Sequence, residues 1–168
     1  GDTNVEKTSD ILNRLGLIEE RAAIDTKDLA DAIPIVAPAA SQLGMSVDEL
    51  AASLAGMVEQ GVDANEAATA LKFGLQRLYN PTNKAQEALD ALGVNYKNAD
   101  NTLRPPIEVL QDLRMALEGT SQAAATQAFG DIFGSRQVSR MQALMSSLRD
   151  ESSDFYDTME VASMSQDA

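Results

Sequence analysis

The chain has 168 residues, of which 26 are acidic and 13 basic, so its formal net charge is −13. It contains no His, no Cys and no Trp, which excludes a disulfide framework, a Cys-based metal site and a Ser-His-Asp triad. The acidic balance argues against sequence-specific nucleic acid as a partner, because such surfaces carry a basic patch. The length and the apolar fraction of 44% are typical of one globular domain.

The charge is unevenly distributed along the chain. Residues 104–148 carry four acidic and four basic side chains, whereas residues 149–168 carry six acidic and one basic. We therefore expect the near-neutral stretch 104–148 to hold a buried or interface segment. No run reaches the 18 apolar residues of a membrane span, so no transmembrane segment is predicted in this piece.

The first apolar stripe with a helical period runs from Leu29 to Leu43. Pro34 and Pro38 lie within it, and each removes an amide donor and clashes with the carbonyl four residues before it. The pattern predicts a helix near 26–33, a kink or break, and a second helix near 35–43.

The next helices are delimited by caps and breakers. Ser46 with Glu49 forms the capping-box pattern of a helix that Gly61 ends, and a helix beginning after Asp63 ends at Asn80-Pro81. Gly93 ends a third helix. Further stripes follow up to Gly119, up to Gly134, and from Ser135 onwards.

Residues 94–104 are the only strand-like piece of the sequence. Val94 and Tyr96 alternate with polar residues, and Asn101 accepts a left-handed turn conformation. Pro105 and Pro106 then suit the first turn of another helix. The sequence predicts an all-α fold of antiparallel helices of 10–17 residues with one short β-hairpin near 94–104.

Three regions are expected. Residues 1–25 form an N-terminal lead-in, helical or partly flexible; residues 26–150 form a helical core domain; residues 151–168 form an acidic C-terminal helix or tail that continues into a longer parent chain. The adjacent acids Asp48 and Glu49 lie in a first helical turn, where carboxylates complement the helix dipole. We predict no catalytic, cofactor-binding or metal-ligating residue.

Several motifs occur in one order along the chain. They are Val36-Ala-Pro-Ala-Ala, Leu43-Gly-Met-Ser-Val, Leu78-Tyr-Asn-Pro, Ala88-Leu-Asp-Ala-Leu-Gly-Val, Arg104-Pro, Ile107-Glu-Val-Leu and Ile132-Phe-Gly-Ser-Arg. As an ordered set, covering about residues 28–150, they resemble the core domain of phage tail tape measure proteins of the lactococcal-phage type. The chain departs from that pattern at Asn101-Thr102, where the family usually has Gly-Lys.

The resemblance implies a structural virion protein of a phage or prophage tail. Such a protein sets tail length, fills the lumen of the tail tube and leaves it at genome ejection, and its partners are tail tube protein, tail-tip or baseplate proteins and tail assembly chaperones. It further implies a homo-oligomer in the virion tail that is assembled in the host bacterial cytoplasm, with no cofactor.

Ten positions receive structural roles, either as caps, turns and helix breakers or as positions of the ordered motifs. They are Ser46, Glu49, Gly61, Gly93, Asn101, Arg104, Pro105, Phe133, Gly134 and Arg136. Two other functions are left open by the residues themselves: a non-catalytic helical interaction or adaptor module, and a peptidoglycan-cleaving domain. The second would need a catalytic acid in an aromatic-lined cleft, and the chain has only three Tyr and four Phe.

Overall fold

A computed structural model describes residues 26–167 of the chain, so the predicted lead-in 1–25 lies outside the described residues. Within them the backbone is helical apart from its turns, which confirms the all-α prediction, and every α-helix has between 10 and 17 residues. The helices are α1 (Thr26–Gln42), α2 (Val47–Glu59), α3 (Ala64–Tyr79), α4 (Asn83–Leu92), α5 (Pro106–Glu118), α6 (Gln122–Phe133), α7 (Val138–Arg149) and α8 (Asp154–Asp167), with a 3₁₀ turn at Ser135–Gln137.

Helix α1 is continuous through both prolines, so the predicted break near residue 34 is wrong. Pro34 and Pro38 are four residues apart and both face solvent, where water can satisfy the carbonyls that lose an amide partner. The opposite face buries Ala32, Ile33 and Val36. Burial of this apolar face offsets the lost hydrogen bonds and holds the helix in one piece.

Helix α2 forms the centre of the fold. Its residues from Leu50 to Met57 are all buried, and it packs against α1, α3, α7 and α8. Small side chains make this possible because Ala51, Ala52 and Ala55 let neighbouring helices approach on several sides. The central helix therefore precedes residue 104. The near-neutral stretch 104–148 also contributes fully buried side chains to the core, as expected, among them Leu110, Ile132 and Met141.

The connections around α2 set the helix directions. Four residues join α1 to α2 and four join α2 to α3, so α2 runs antiparallel to both neighbours. Helices α1 and α3 consequently run side by side in the same direction, and Leu43, directly after α1, shares a shallow cleft with Leu75 and Tyr79 of α3.

The hairpin predicted near 94–104 is not formed, and no strand occurs among residues 26–167. A single antiparallel bridge pairs Lys97 with Leu103 around a turn in which Asn101 has φ 69°. Most of this segment is exposed, and only Val94 is buried. Without a third strand or an apolar face to bury, the ladder does not extend beyond the bridge.

The acidic C-terminal segment folds back onto the central helix. Helix α8 packs mainly along α2 and also touches α7, and its Phe155, Val161 and Ala162 are buried. A chain of hydrogen bonds joins the elements where α8 begins: Ser153 Oγ donates to the carbonyl of Ser147 at 2.7 Å, and Ser147 Oγ donates to the carbonyl of Gly56 at 2.8 Å. The segment that follows residue 150 thus completes the covering of α2.

Candidate functional site

Two of the motif clusters meet at the last turns of α3. Tyr79, its final residue, contacts the segment containing Arg104-Pro105, and Arg77 contacts the end of α6, where Phe133 and Gly134 lie. The C-terminal end of α3 therefore contacts two motifs, at Arg104 and at Phe133, that lie 29 residues apart in the sequence. We call these two clusters, Arg104 with its partners and Phe133–Gly134 with Arg77, the α3 junction.

Arg104 connects three parts of the chain. Its guanidinium donates to the carbonyl of Asn95 at 2.7 Å and to Asp112 Oδ2 of α5 at 2.8 Å. Its own carbonyl accepts a hydrogen bond from the Tyr79 hydroxyl at 2.5 Å. Because an arginine offers several donors in a fixed planar fork, it can bind both acceptors at once. Arg104 thereby ties α3, the 95–104 turn and α5 together.

Tyr79 is the partly buried centre of this cluster. Its ring contacts that of Tyr96 edge to face, with centroids 5.9 Å apart. Burial raises the pKa of Tyr79 well above its ordinary value, and the positive charge of Arg104 only partly opposes that rise. The hydroxyl therefore stays protonated and acts as a donor, which makes this cluster a structural joint.

The second cluster lies where α6 turns into α7. Phe133 is buried, and its ring lies 4.9 Å from that of Phe129. Gly134 has φ 83°, a backbone conformation that glycine adopts without the strain a side chain would bring. Arg77 Nε donates to the carbonyl of Ile132 at 3.4 Å, which satisfies one of the free carbonyls at the end of α6.

Five of the predicted positions act at helix ends. The Ser46 amide donates to Glu49 Oε1 at 2.9 Å and the Glu49 amide donates to Ser46 Oγ at 3.1 Å, so the two residues cap α2 reciprocally. Gly61 and Gly93 have φ values of 95° and 73° after α2 and α4. Pro105 directly precedes α5. Each serves its own element, and none of these five belongs to the α3 junction.

Asn101 and Arg136 are both exposed. Asn101 lies at the tip of the turn that leads to Arg104, and Arg136 lies in the 3₁₀ turn after Gly134, with no ion pair to the side chains of residues 27–164. Arg136 therefore differs from Arg104, although both are arginines of the recognised motifs.

The sequence reasoning missed the closest helix contacts. A Cβ atom built on Gly56 would lie 2.7 Å from Ser147 Cβ, and one on Gly74 would lie 2.7 Å from the methyl carbon of Met141. The available signal was a glycine inside an apolar helical stripe, which often marks close approach of another element. Tyr79 and Asp112, which bind Arg104, could not be identified because their pairing depends on the tertiary fold.

Neither a metal-holding cluster of side chains nor a membrane-spanning helix is found in the described part of the chain. No group of three or more acidic, His or Cys side chains lies close enough together to hold a metal ion among the residues searched. No helix in that same part is both long and apolar enough to cross a membrane.

Comparison with known proteins gives these motifs a context. Residues 2–134 match the model of a family described as phage-related minor tail protein. The chain is 33% identical over 129 residues to the tape measure protein of Pneumococcus phage Dp-1, an alignment covering 74% of this chain and 11% of that protein. It is 30% identical over 142 residues to the probable tape measure protein of Escherichia phage P2, covering 83% of this chain and 17% of that one.

The chain thus spans less than a fifth of the length of these two relatives, and no solved structure matches it. Both α3-junction motifs, at Arg104 and at Phe133–Gly134, lie within the region that the family model covers. Because that match extends over most of its length, the chain belongs to the phage-related minor tail protein family.

Proposed function

We propose that the chain is a segment of a tape measure protein that sets tail length, fills the lumen of the tail tube during assembly and leaves it at genome ejection. Family membership assigns a structural role in a phage tail. The finer proposal is carried by one observation: two proteins described as tape measure proteins align with 74% and 83% of the chain.

The proposed partners are tail tube protein, tail-tip or baseplate proteins and tail assembly chaperones, with further copies of the chain as neighbours in the virion tail. Assembly would take place in the host cytoplasm. The proposed role needs no catalysis, in keeping with the α3 junction, whose polar groups are engaged in joining helices. Release of peptidoglycan fragments by the purified chain would contradict the non-enzymatic part of this proposal.

The fold suggests how much length this segment contributes. A continuous helix of 168 residues would span about 250 Å at about 1.5 Å per residue. The longest helix in residues 26–167 has 17 residues, which corresponds to about 26 Å, and its neighbours fold back beside it. The segment therefore serves as a compact module of the ruler, and extended stretches elsewhere in the parent protein supply most of the length.

Tandem duplication in the parent gene tests this role. One or two further copies of the segment are inserted in frame, and tail lengths are measured by electron microscopy. We expect each copy to lengthen the tail by a few tens of ångströms, roughly one helix length. A parent with an inserted continuous helix of equal residue number is the control, and it should add about 250 Å.

Each outcome of the duplication experiment is decisive. Tails of unchanged length, with the extra copies present in the virion, would contradict a contribution to length. An increment near 250 Å per copy would support the ruler role and contradict the compact state.

A further inference from the structure

A cleft of about 380 Å³ opens where the ends of α5 and α7 meet the first half of α6. Leu117 of α5, Phe129 of α6 and Met145 of α7 line it, and at most 9% of each of these residues is exposed. A volume of this size lies in the range of protein binding sites, roughly 300–1,000 Å³. None of the residues that line the cleft belongs to the α3 junction, although Phe129 contacts Phe133 of that junction.

Only the second half of α6, which forms one wall of the cleft, is packed into the core. The buried residues of α6 are Phe129, Ile132 and Phe133, all in its second half. Its first half is exposed except at Ala125, which is half-buried and lines the cleft. Ala125 and Thr126 are the lining residues of this first half, and their small side chains leave room for another helix beside α6.

The charge of the cleft is opposite in sign to that of the chain. Its charged lining residues are Arg114, Glu118 and Arg149. Glu118 pairs with both arginines, through Arg114 Nη1 at 3.2 Å and through Arg149 Nε. Two guanidinium groups thus share one carboxylate, and a local charge of +1 remains in a chain whose formal net charge is −13.

Arg114 and Arg149 have more hydrogen-bond donors than their contacts with Glu118 use. Each guanidinium has five N–H groups, and 58% of the Arg149 side chain is exposed. An incoming carboxylate could therefore bind beside Glu118 without displacing it, in the geometry that guanidinium groups favour. The cleft accordingly combines an apolar floor with a positive rim, which fits an apolar side chain flanked by an acid.

We propose that this cleft binds an acidic amphipathic helix of another protein, with its apolar side chains on Phe129 and Met145 and a carboxylate on Arg149. Charge complementarity argues for this occupant, because the positive rim selects an acidic partner and disfavours a basic one. A helix fits the groove between helices, with apolar residues spaced three and four apart. The proposal concerns a surface of the chain and holds whether or not the segment sets tail length.

The test uses the full chain and a synthetic helical peptide of about 20 residues, long enough to hold helical structure in water. The peptide carries Leu at every third and fourth position with flanking Glu, and a second version replaces each Glu by Lys. Binding is followed by NMR of the methionine methyl groups, because Met145 lines the cleft while Met57 is buried in α2.

We expect the Glu peptide to shift the Met145 signal and leave Met57 unchanged, and the Lys peptide to bind about tenfold more weakly or less, equivalent to about 1.4 kcal/mol. Arg149→Glu should weaken binding of the Glu peptide by about tenfold. Arg136→Glu makes the same charge change at an exposed position outside the cleft and should alter binding less than about twofold.

A second variant separates a loss of peptide binding from a loss of folding. Thr126 is exposed at the cleft, and Thr126→Glu should weaken the Glu peptide while leaving the helical circular dichroism unchanged. Equal binding of both peptides, equal effects of Arg149→Glu and Arg136→Glu, or a static Met145 signal would overturn the proposal. A Met145 shift that depends on protein concentration without peptide would also overturn it, because the occupant would then be a second copy.

Discussion

At the scale of single residues, the two buried helix glycines set how closely the central helices approach α7. Gly56 faces Ser147 Cβ, an atom held close to the α7 backbone, whereas Gly74 faces the flexible end of Met141. The same added methyl group therefore meets a rigid neighbour at one position and a yielding neighbour at the other. Chemically identical substitutions should have different costs at the two sites.

We predict that Gly56→Ala lowers the free energy of unfolding by about 1–3 kcal/mol, because the added Cβ forces α2 and α7 apart. Gly74→Ala should cost less, since the Met141 methyl group can move. Gly130→Ala is the control: a Cβ there meets nothing within 4 Å, and Ala in a helix should stabilise by about 0.5–1 kcal/mol. Urea unfolding gives all three values, and equal costs at Gly56 and Gly130 would contradict the packing account.

Arg104 supplies a second test at this scale. Replacing it by Gln removes its ion pair with Asp112 and weakens the contact with Asn95, which should lower the free energy of unfolding by about 1–2 kcal/mol. Arg136→Gln removes an arginine of the same motif set from an exposed turn, so we expect a change within about 0.5 kcal/mol. Similar losses in both variants, measured by urea unfolding, would argue against a joining role for Arg104.

At the scale of the elements, the start of α8 lies beside the end of α2, and an acid of each helix is found there. The Asp154 amide donates to Glu59 Oε1 at 3.1 Å, which places two carboxyl groups together at the end of α2. Burial first, and then the neighbouring Glu59 and Asp157, raise the pKa of Asp154 to about 7. The charged form of Asp154 is thus disfavoured when α8 is docked.

This raised pKa makes the stability of the fold depend on pH. In the folded protein Asp154 holds its proton up to about pH 7, whereas in the unfolded chain it loses it near pH 3.8. Its contribution is therefore fully present below pH 3.8 and is lost as the pH rises through 7. Asp154 is partly exposed, so solvent screening limits the effect to about 1 kcal/mol.

We predict that the melting temperature falls between pH 5 and pH 8, and that Asp154→Asn makes this fall shallower because the amide does not ionise. Asp150→Asn is the matched control: the hydrogen bonds from Ser152 lower the pKa of that carboxyl, so the slope above pH 5 should not change. Thermal scans at a series of pH values measure all three proteins. The same slope in Asp154→Asn and in the unmodified chain would contradict the prediction.

At the scale of the whole molecule, the helices fold back into one packed body. The central position of α2 brings together α1, α3, α7 and α8, so its packing joins both ends of the described chain. We expect small-angle scattering of the purified chain to give a radius of gyration on the order of 15–20 Å, near that of a compact chain of this length. A rod of about 250 Å would contradict the compact module.

Local signals in the sequence determined the helices and most of their ends. Gly93, Asn101 and the Ser46–Glu49 pair could be recognised because each acts on backbone groups within a few residues of itself. The ordered motifs also indicated the family before any contact was known.

The tertiary structure alone decided three features. It kept α1 continuous through Pro34 and Pro38, since burial of one face outweighs two missing hydrogen bonds. It placed α2 at the centre of the core and brought Tyr79 to Arg104. The physical reason is the same in each case: a cap or a turn is satisfied by near neighbours in the chain, whereas burial and long-range pairing depend on which distant segments come together.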